Sequence, residues 1–526
     1  MKITKRKLLK GSATVLSTLA AGCSTAIKPK KANNVVLISI DDLNAWIIDP
    51  MRHPLSNTPN IDALLSQSMR FTNAHCAAPV CASSRTAFMS GVAPHDSGVY
   101  TNAQSVSTGD RRGNAHTAVA DVEHLTRLYK NNGYQTLGAG KIYHKWVVDN
   151  DNADHHYDHH MPMPVIPEEI VEYGRGYPAT KFYPFPKDNP IHDTLGYKQG
   201  VSLVAGPVDR KDMFNGYMPD ELITQWCTNA LQTLTTDKPF YMAVGYLRPH
   251  VPFSAPQKYF DAISLDDIEL PEVDDMKDIP MYGKAMTLGL IPDGDHKAVL
   301  ELGEDYWKAL IQGYLASIAF IDDQIGELMD ALVHLGLSET TDVVLLSDHG
   351  QNMGEKANWR KMCLWEESTR VPFAIRPAGG LNNAPFSDRA VSLLDLYPTL
   401  CAMHNLPTHH RMAGNDLTPL LLNPKQEWDN PVLIAWHYQN FAVRSNRWRL
   451  IRYRDNTMEL YDHKTDPLER TNLIKDPQYR SVVEEHLAYI PQNPALPYGS
   501  LTWKGDKLDG YIDQWKKSSV PAWLGG

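Results

Sequence analysis

The stretch Asn34-Val35-Val36-Leu37-Ile38-Ser39-Ile40-Asp41-Asp42 decides the fold class of this chain. Its apolar, largely β-branched residues run without alternation, which is typical of a strand buried on both faces of a parallel sheet. A second run of this kind, Asp342–Ser347, ends at Asp348 and His349. Ligands of open α/β sheets bind beyond the carboxyl ends of the strands, so we expect both acidic pairs to meet in one site.

Helical and strand patterns alternate between these two runs, which predicts an α/β domain. They predict helices over Val119–Asn132 and Tyr306–Leu335, and strands over Tyr134–Gly138 and Phe240–Tyr246. The stretch Val147–Gly216 is rich in Pro, Gly, Tyr, His and Asp, and predicts long loops that wall a substrate pocket.

The pattern changes after about Pro424 to short strands followed by a helix. The predicted elements are strands at Ala442-Val443, Trp448–Tyr453 and Glu459–Tyr461 and a helix over Gln478–Ile490. We therefore predict a large α/β catalytic domain over residues 33–424 and a smaller α+β domain over 425–526.

Composition narrows the function classes. The chain has 526 residues, 43% hydrophobic and 21% charged, which fits a globular protein and excludes disordered, collagen-like and multi-span membrane proteins. Its net charge of −10 disfavours nucleic acid as a partner. The six cysteines form no C-x-x-C pair and no Cys/His zinc spacing, so we expect neither a disulfide scaffold nor a zinc site.

The first 32 residues predict an export signal and linker. Lys2–Lys10 is basic, Gly11–Gly22 is small and apolar, and Cys23 follows. Two interpretations stay open: a variant twin-arginine signal, and a lipoprotein signal with a lipid anchor on Cys23. Either places the protein in the periplasm or, as a lipoprotein, on the cell envelope; the alternative is a disordered basic tail.

The segment Pro79–Gly91 carries the strongest chemical signal. Cys81 stands four residues before Arg85 at a predicted helix start, so both side chains share one helical face. The free N–H groups of a helix N-terminus and an Arg fork suit an oxyanion. A buried, unreactive Cys beside a surface Arg is the structural alternative.

Cys81-x-Ser83-x-Arg85, downstream of Asp41-Asp42, resembles the signature of the type I sulfatases, with Ser where Pro or Ala is usual. Other segments resemble family motifs in the expected order. They are Gly140-Lys141-x-x-His144, Pro249-His250-Val251-Pro252-Phe253, Ser347-Asp348-His349-Gly350, Lys361 with Glu366–Phe373, and Glu459–Asp462 with Asp466-Pro467. Asp-His at 348–349 and Trp359-Arg360-Lys361 resemble the iduronate-2-sulfatase branch.

The resemblance implies an alkaline-phosphatase-like fold and a site built around Cys81, oxidised to Cα-formylglycine by a formylglycine-generating or sulfatase-maturing enzyme. The cation would be Ca²⁺ or Mg²⁺, held by Asp41, Asp42, Asp348, His349 and residue 81. Carboxylate oxygens suit these ions better than they suit zinc. Ser83 leaves open which maturation enzyme acts.

The same resemblance implies the reaction steps. One hydroxyl of the hydrated aldehyde attacks sulfur, and His144 deprotonates the other to expel sulfate. Lys141 and Arg85 would stabilise the residue-81 oxyanion. Lys361 and His250 would bind the sulfate and protonate or shield the leaving alcohol. Which of these last two is the acid stays open.

We therefore predict an exported sulfatase that removes sulfate from a sulfated glycan, acting at a terminal 2-O-sulfate. Iduronate-2-sulfate is the nearest analogy, and an algal polysaccharide such as ulvan or carrageenan is an open option. Two rival hypotheses remain. One is a phosphoesterase or phosphonate hydrolase of the same superfamily, and the other is a surface lipoprotein that binds glycans without hydrolysing them.

Overall fold

The computed structural model describes residues 32–102, 118–144, 157–161, 203–234, 237–272, 276–288, 294–498 and 507–524. Asn33–Gly526 forms one compact unit. The parts of the chain outside the described residues include residues 1–31, which hold the predicted export signal. They also include residues 103–117 and most of the predicted loop stretch Val147–Gly216. No helix in the described ranges is long and apolar enough to cross a membrane.

The strands have the following bounds: β1 Asn34–Ile40, β2 Met69–Phe71, β3 Ala74–His75, β4 Gln135–Gly140, β5 His159–His160, β6 Phe240–Tyr246, β7 Thr341–Ser347, β8 Asn352–Met353, β9 Trp359–Arg360, β10 Phe373–Arg376, β11 Phe386–Ser387, β12 Val391–Ser392, β13 Val432–Ala435, β14 Phe441–Arg444, β15 Trp448–Arg452 and β16 Met458–Asp462.

The α-helices have the following bounds: α1 Pro59–Ser66, α2 Cys81–Ser90, α3 Pro94–Ser97, α4 Leu125–Asn131, α5 Pro219–Gln232, α6 Gln257–Asp261, α7 Met281–Met286, α8 Asp295–Leu302, α9 Glu304–His334, α10 Glu366–Thr369, α11 Leu396–His404, α12 Thr418–Leu422, α13 Arg480–Leu487 and α14 Lys507–Lys517.

The main sheet has eight strands in the order β11-β2-β10-β7-β1-β6-β4-β5. Its pairs are parallel except for those that β10 makes with β7 and β2. Alternate residues of β1 enter two different apolar clusters, Val35 and Leu37 on one side and Val36, Ile38 and Ile40 on the other. The sheet is therefore buried on both faces, which explains the unbroken apolar run of β1. The predicted α/β class is confirmed.

The register of β1 brings the two acidic pairs together. Ile40 is level with Ser347 of β7, and the backbone N–H of Asp348 donates to the Ile40 carbonyl at 3.2 Å. Asp41 and Asp348 therefore leave the same edge of the sheet on adjacent strands, as the two runs predict.

A second sheet, with the antiparallel order β13-β14-β15-β16, follows the main one in the chain. Residues Ile434 and Ile451 of this sheet share an apolar cluster with Leu508, Ile512 and Trp515 of α14. The predicted change to α+β structure is confirmed by these strands. The domain boundary at residue 424 stays a prediction.

Two sequence predictions differ from the structure. The helix predicted over Val119–Asn132 begins only at Leu125, because Val119 and Val122 turn away to pack against Val92. The prediction of the C-terminal strands is incomplete, because it does not include β13.

Candidate active site

Two turns at the edge of the main sheet form the floor of the site. Asp42 has a backbone φ of 64°, and its N–H donates to Asp348 Oδ1 at 3.2 Å. The same oxygen accepts the N–H of His349 at 3.0 Å. Both turns are thus joined by one carboxylate, which fixes the spacing of the three aspartates.

Helix α2 carries Cys81 to these turns. Cys81 is the first residue of the helix, and its Sγ lies 3.2 Å from His349 Nε2. Asn102 Oδ1 accepts the N–H of Ala82 at 2.8 Å, so a side chain outside the helix caps this end. The Ser83 hydroxyl donates to the Val99 carbonyl at 2.5 Å. The hydroxyl of Ser83, the residue that departs from the family signature, therefore forms a hydrogen bond that links α2 to the segment containing Val99.

Three buried cations each meet a carboxylate of the floor. Arg85 Nε donates to Asp348 Oδ2 at 2.8 Å, and its Nη2 lies 3.4 Å from Asp41 Oδ1. Lys141 Nζ lies 2.5 Å from Asp41 Oδ2. Lys361 Nζ lies 2.5 Å and 2.7 Å from the two oxygens of Asp42. Positive charge therefore surrounds the thiol on several sides.

This charge shifts the pKa values of the site. Burial and Asp41 raise the pKa of the Cys81 thiol, but Lys141, Lys361 and His349 outweigh them and lower it below its usual range. Burial also raises the pKa of Asp41, yet Lys141 and the other cations bring it well below its ordinary value. Residue 81 thus stands where a developing negative charge is stabilised.

Two histidines complete the group. His250 Nε2 lies 3.8 Å from Asp42 Oδ2, and its Nδ1 bonds the Val251 carbonyl at 2.7 Å. His144 Nδ1 is buried and has no hydrogen-bond partner within the described ranges. Burial lowers the pKa of each imidazole to about 3, so both are neutral near pH 7.

The donor set fits a divalent cation. Ligand atoms of Asp41, Cys81, Asp348 and His349 all lie within 4.8 Å of one another, and so do those of Asp41, Asp42, Cys81 and His250. His349 Nδ1 bonds the Gly350 carbonyl at 2.9 Å, which leaves Nε2 facing Asp42 Oδ1 at 3.3 Å. The carboxylate oxygens of Asp41, Asp42 and Asp348 in these two groups suit Ca²⁺ or Mg²⁺.

Comparison with known proteins shows the family of this chain. The family model named Sulfatase matches residues 33–405. This chain belongs to the sulfatase family. A second model, N-sulphoglucosamine sulphohydrolase, C-terminal, matches residues 354–492. The protein is therefore a sulfuric ester hydrolase with the alkaline-phosphatase-like fold of that family, as its sequence motifs predict.

Relatives of this sulfatase cover most of its length. A protein named sulfatase from Formosa agariphila is 31% identical over 88% of this chain and 87% of its own length. Iduronate 2-sulfatase from Mus musculus is 29% identical over 77% of this chain and 74% of its own length. The crystal structure of a phosphonate monoester hydrolase from Agrobacterium radiobacter superposes with a TM-score of 0.67 at 20% identity, covering 87% and 94% of the two chains. This last likeness shows the fold alone.

A second cluster of potential metal ligands in this sulfatase is already paired with cations. Ligand atoms of Glu366, His463 and Glu469 lie within 4.8 Å of one another. Arg449 forms ion pairs with both glutamates, and Arg444 Nε lies 3.1 Å from Glu366 Oε2. The cluster is therefore an ion-pair network that joins α10 to the C-terminal sheet.

The sequence did not reveal the residues that support the site from behind. Arg248 Nε and Nη2 bond the carbonyl and hydroxyl of Ser254, both at 2.9 Å, and so close the loop that carries His250. Tyr314 reaches the Asp42 turn from a distance of 272 residues along the chain. Arg248 adjoins a motif, and that position is a usable signal. No sequence signal marks Tyr314 or Asn102.

Proposed function

We propose that this sulfatase removes sulfate from a terminal 2-O-sulfated sugar of a glycan, with Cys81 converted to Cα-formylglycine and Ca²⁺ bound beside it. The observation that carries the proposal is the position of Cys81, 1% exposed at the first turn of α2 and 3.2 Å from His349. Its thiol faces a carboxylate floor and buried lysines, which a structural cysteine would not need.

Asp41, Asp42, Asp348 and His349 would hold the cation, with Mg²⁺ as the alternative. A bound divalent cation supplies positive charge that polarises a sulfate ester and orients it toward residue 81. The carboxylates reach this position because β1 and β7 end level with each other.

The hydrated aldehyde of formylglycine supplies the attacking hydroxyl in the type I sulfatases. Lys141 and Arg85 belong beside it, since their positive charge favours an oxyanion at residue 81. His144 is suited to accept the proton in the later step, because its imidazole is neutral and its Nδ1 has no hydrogen-bond partner in the described part of the chain.

Lys361 and His250 lie on the Asp42 side of the site and would bind the sulfate oxygens and serve the leaving alcohol. The Nδ1 bond of His250 to the Val251 carbonyl places the remaining lone pair on Nε2. His250 therefore accepts a hydrogen bond at Nε2 while it is neutral, whereas the Lys361 ammonium donates. Of the two residues, Lys361 is therefore the one that donates a hydrogen bond to a sulfate oxygen or to the leaving alcohol.

The likeness to iduronate 2-sulfatase supports a 2-O-sulfated uronate at the end of a glycan chain. Algal polysaccharides remain the main alternative substrates. We also propose that residues 1–32 direct export, to the periplasm or to a lipid anchor at Cys23.

The test is peptide mass spectrometry across Cys81 on protein produced with a maturation enzyme, paired with sulfate-release assays. The panel contains a 2-O-sulfated uronate disaccharide, a disaccharide sulfated only at the 6-position of glucosamine, and oligosaccharides of ulvan and carrageenan. We expect an aldehyde mass and release from the 2-O-sulfated terminus, with Cys81→Ala as the inactive control. Release from the 6-O-sulfated sugar alone would refute the 2-O assignment. Unmodified Cys81 with retained glycan binding would favour the non-catalytic lipoprotein.

A further inference from the structure

The backbone of Asp42 is held in a conformation that non-glycine residues seldom adopt. Its φ of 64° lies in the left-handed region, where the Cβ atom crowds the carbonyl oxygen. Such a conformation persists only when its surroundings enforce it, and it often marks a functional position. The carboxylate of Asp42 contacts Lys361 at 2.5 Å and His349 at 3.3 Å, so the backbone angle decides where this group points.

One hydroxyl group spans this turn from behind. Tyr314 OH donates to the Asp42 carbonyl at 2.7 Å and accepts the N–H of Asn44 at 2.9 Å. Between these two bonds, the N–H of Leu43 donates to Ser347 Oγ at 2.9 Å. The tyrosine thus holds both sides of Leu43, and its hydroxyl uses its donor and an acceptor position in a region without solvent.

Tyr314 comes from the middle of α9 and is fully buried. Its ring packs edge-on against Trp46 and Phe253, with centroid distances of 5.6 Å and 5.3 Å. The ring packing fixes the hydroxyl, and the hydroxyl fixes the turn.

We propose that Tyr314 is a positioning residue that sets the Asp42 carboxylate for the divalent cation, acting through the main chain without touching substrate or metal. This inference rests on the proposed function, because it requires that Asp42 is a metal ligand. A purely structural tyrosine would contribute to folding stability and leave metal affinity unchanged.

The test compares Tyr314→Phe with Tyr246→Phe. Tyr246 is also fully buried, and its hydroxyl bonds Thr224 Oγ1 at 2.9 Å and the Gln324 carbonyl at 3.3 Å. Its contact with the acidic turns is made by its backbone carbonyl, which accepts the N–H of Asp41 at 3.2 Å and is kept in the variant. Each variant keeps its ring and loses a hydroxyl with two hydrogen bonds. Far-ultraviolet circular dichroism and thermal unfolding show whether both fold and lose similar stability.

Ca²⁺ affinity, measured by titration calorimetry on chelator-treated protein with unmodified Cys81, is the deciding readout. We expect Tyr314→Phe to bind Ca²⁺ about tenfold more weakly, the lower end of the effect of removing a group that orients a metal ligand. Tyr246→Phe should bind like the wild type. In matured enzyme, added Ca²⁺ should restore sulfate release to Tyr314→Phe, whereas a general folding defect would not respond to the metal.

Equal Ca²⁺ affinity in the wild type and Tyr314→Phe would overturn the inference and leave the proposed function intact. Equal weakening in both variants would also overturn it, because the effect would then be general. A wild-type protein that binds no divalent cation would overturn the metal assignment as well. If Tyr314→Phe does not fold, Ser347→Ala decides, because it removes the acceptor of the Leu43 N–H in the same turn; unchanged Ca²⁺ affinity in a folded Ser347→Ala would overturn the inference that the bonds behind this turn set Asp42.

Discussion

Replacing Arg449 by Met should strongly destabilise this sulfatase. The Arg449 side chain is fully buried on β15 and forms ion pairs with Glu366 and, at 2.7 Å, with Glu469. It also donates to the Leu364 carbonyl at 2.7 Å and to Thr369 Oγ1 at 3.0 Å. Methionine matches the length of the aliphatic part of arginine and replaces none of these polar contacts.

The size of the effect follows from what remains around the two carboxylates. Glu366 keeps Arg444, whose Nε lies 3.1 Å away, whereas Glu469 keeps His463 at 3.0 Å. Removing one partner from a buried ion pair typically costs 3–5 kcal/mol, because the other charge is left without compensation. Since both glutamates retain a partner, we expect a loss of about 3 kcal/mol in the free energy of unfolding.

Arg447→Met, in the turn between β14 and β15, is the matched control. Arg447 pairs with both oxygens of Asp462 at 2.7 Å and 2.6 Å, but its side chain is 47% exposed. Exposed pairs contribute little, because water and salt screen them. Urea unfolding should therefore leave Arg447→Met close to the wild type. Equal losses in the two variants would refute the argument that burial gives the Arg449 network its strength.

The network also sets an acid dependence. Burial raises the pKa values of Glu366 and Glu469, but the arginines and His463 outweigh it and hold both below their ordinary values. A carboxyl with a lowered pKa in the folded state contributes stability above its ordinary value of 4.5, and that stability is lost as the pH falls through the folded-state value. Without Arg449 the two pKa values rise, so the loss of stability below pH 4.5 should be shallower in Arg449→Met.

Three further predictions concern the active site. Cys81→Ala should abolish sulfate release while unfolding at nearly the same temperature as the wild type, and retained turnover would exclude residue 81 as the nucleophile. Dialysis against a Ca²⁺ chelator should abolish sulfate release and readdition of Ca²⁺ should restore it; full activity of metal-free protein would remove Asp41, Asp42 and Asp348 from the mechanism. Lys361→Met should lower kcat about 100-fold, the loss typical of removing a charge-stabilising donor, and a rise in KM alone would limit Lys361 to substrate binding.

The sequence was sufficient for the parts of the site that follow local patterns. The buried run of β1 and the run of β7 each end at acidic residues, and parallel pairing places these ends side by side. The start of α2 at Cys81 also coincides with the predicted helix start. In each case one short segment carries both the structural pattern and the chemical group, so no long-range contact has to be known.

Other parts could not be predicted, because they depend on contacts between distant segments. β10 lies antiparallel between β7 and β2, and its four residues are too few to show a period. The hydroxyl of Tyr314 meets Asp42 only after α9 packs on the sheet. In the sequence, the charge of Arg449 predicts a surface residue. Only the assembled ion-pair network shows that its side chain is buried.

The network of Arg449 bears on the active site through a close backbone contact. Gly350, directly after His349, donates its N–H to the Ser368 carbonyl at 2.9 Å, and a Cβ atom there would lie 2.0 Å from the Glu367 carbonyl. The backbone of helix α10 is therefore in close contact with the turn that carries His349. Arg444 and Arg449 of the C-terminal sheet form ion pairs with Glu366 of the same helix. Through this contact, the smaller sheet supports the position of an active-site turn.

The charges of the site explain why an acidic protein suits an anionic substrate. Arg85, Lys141 and Lys361 balance the carboxylates of Asp41, Asp42 and Asp348, which leaves the floor close to neutral within a chain of net charge −10. A divalent cation bound at the floor would make this region positive, and the low local dielectric would extend its effect on a sulfate group. Attraction of the substrate would then depend on the bound cation more than on the overall charge of the protein. The aspartates thus have two tasks, since they neutralise the buried lysines and arginine and would also hold the ion that attracts the sulfate ester.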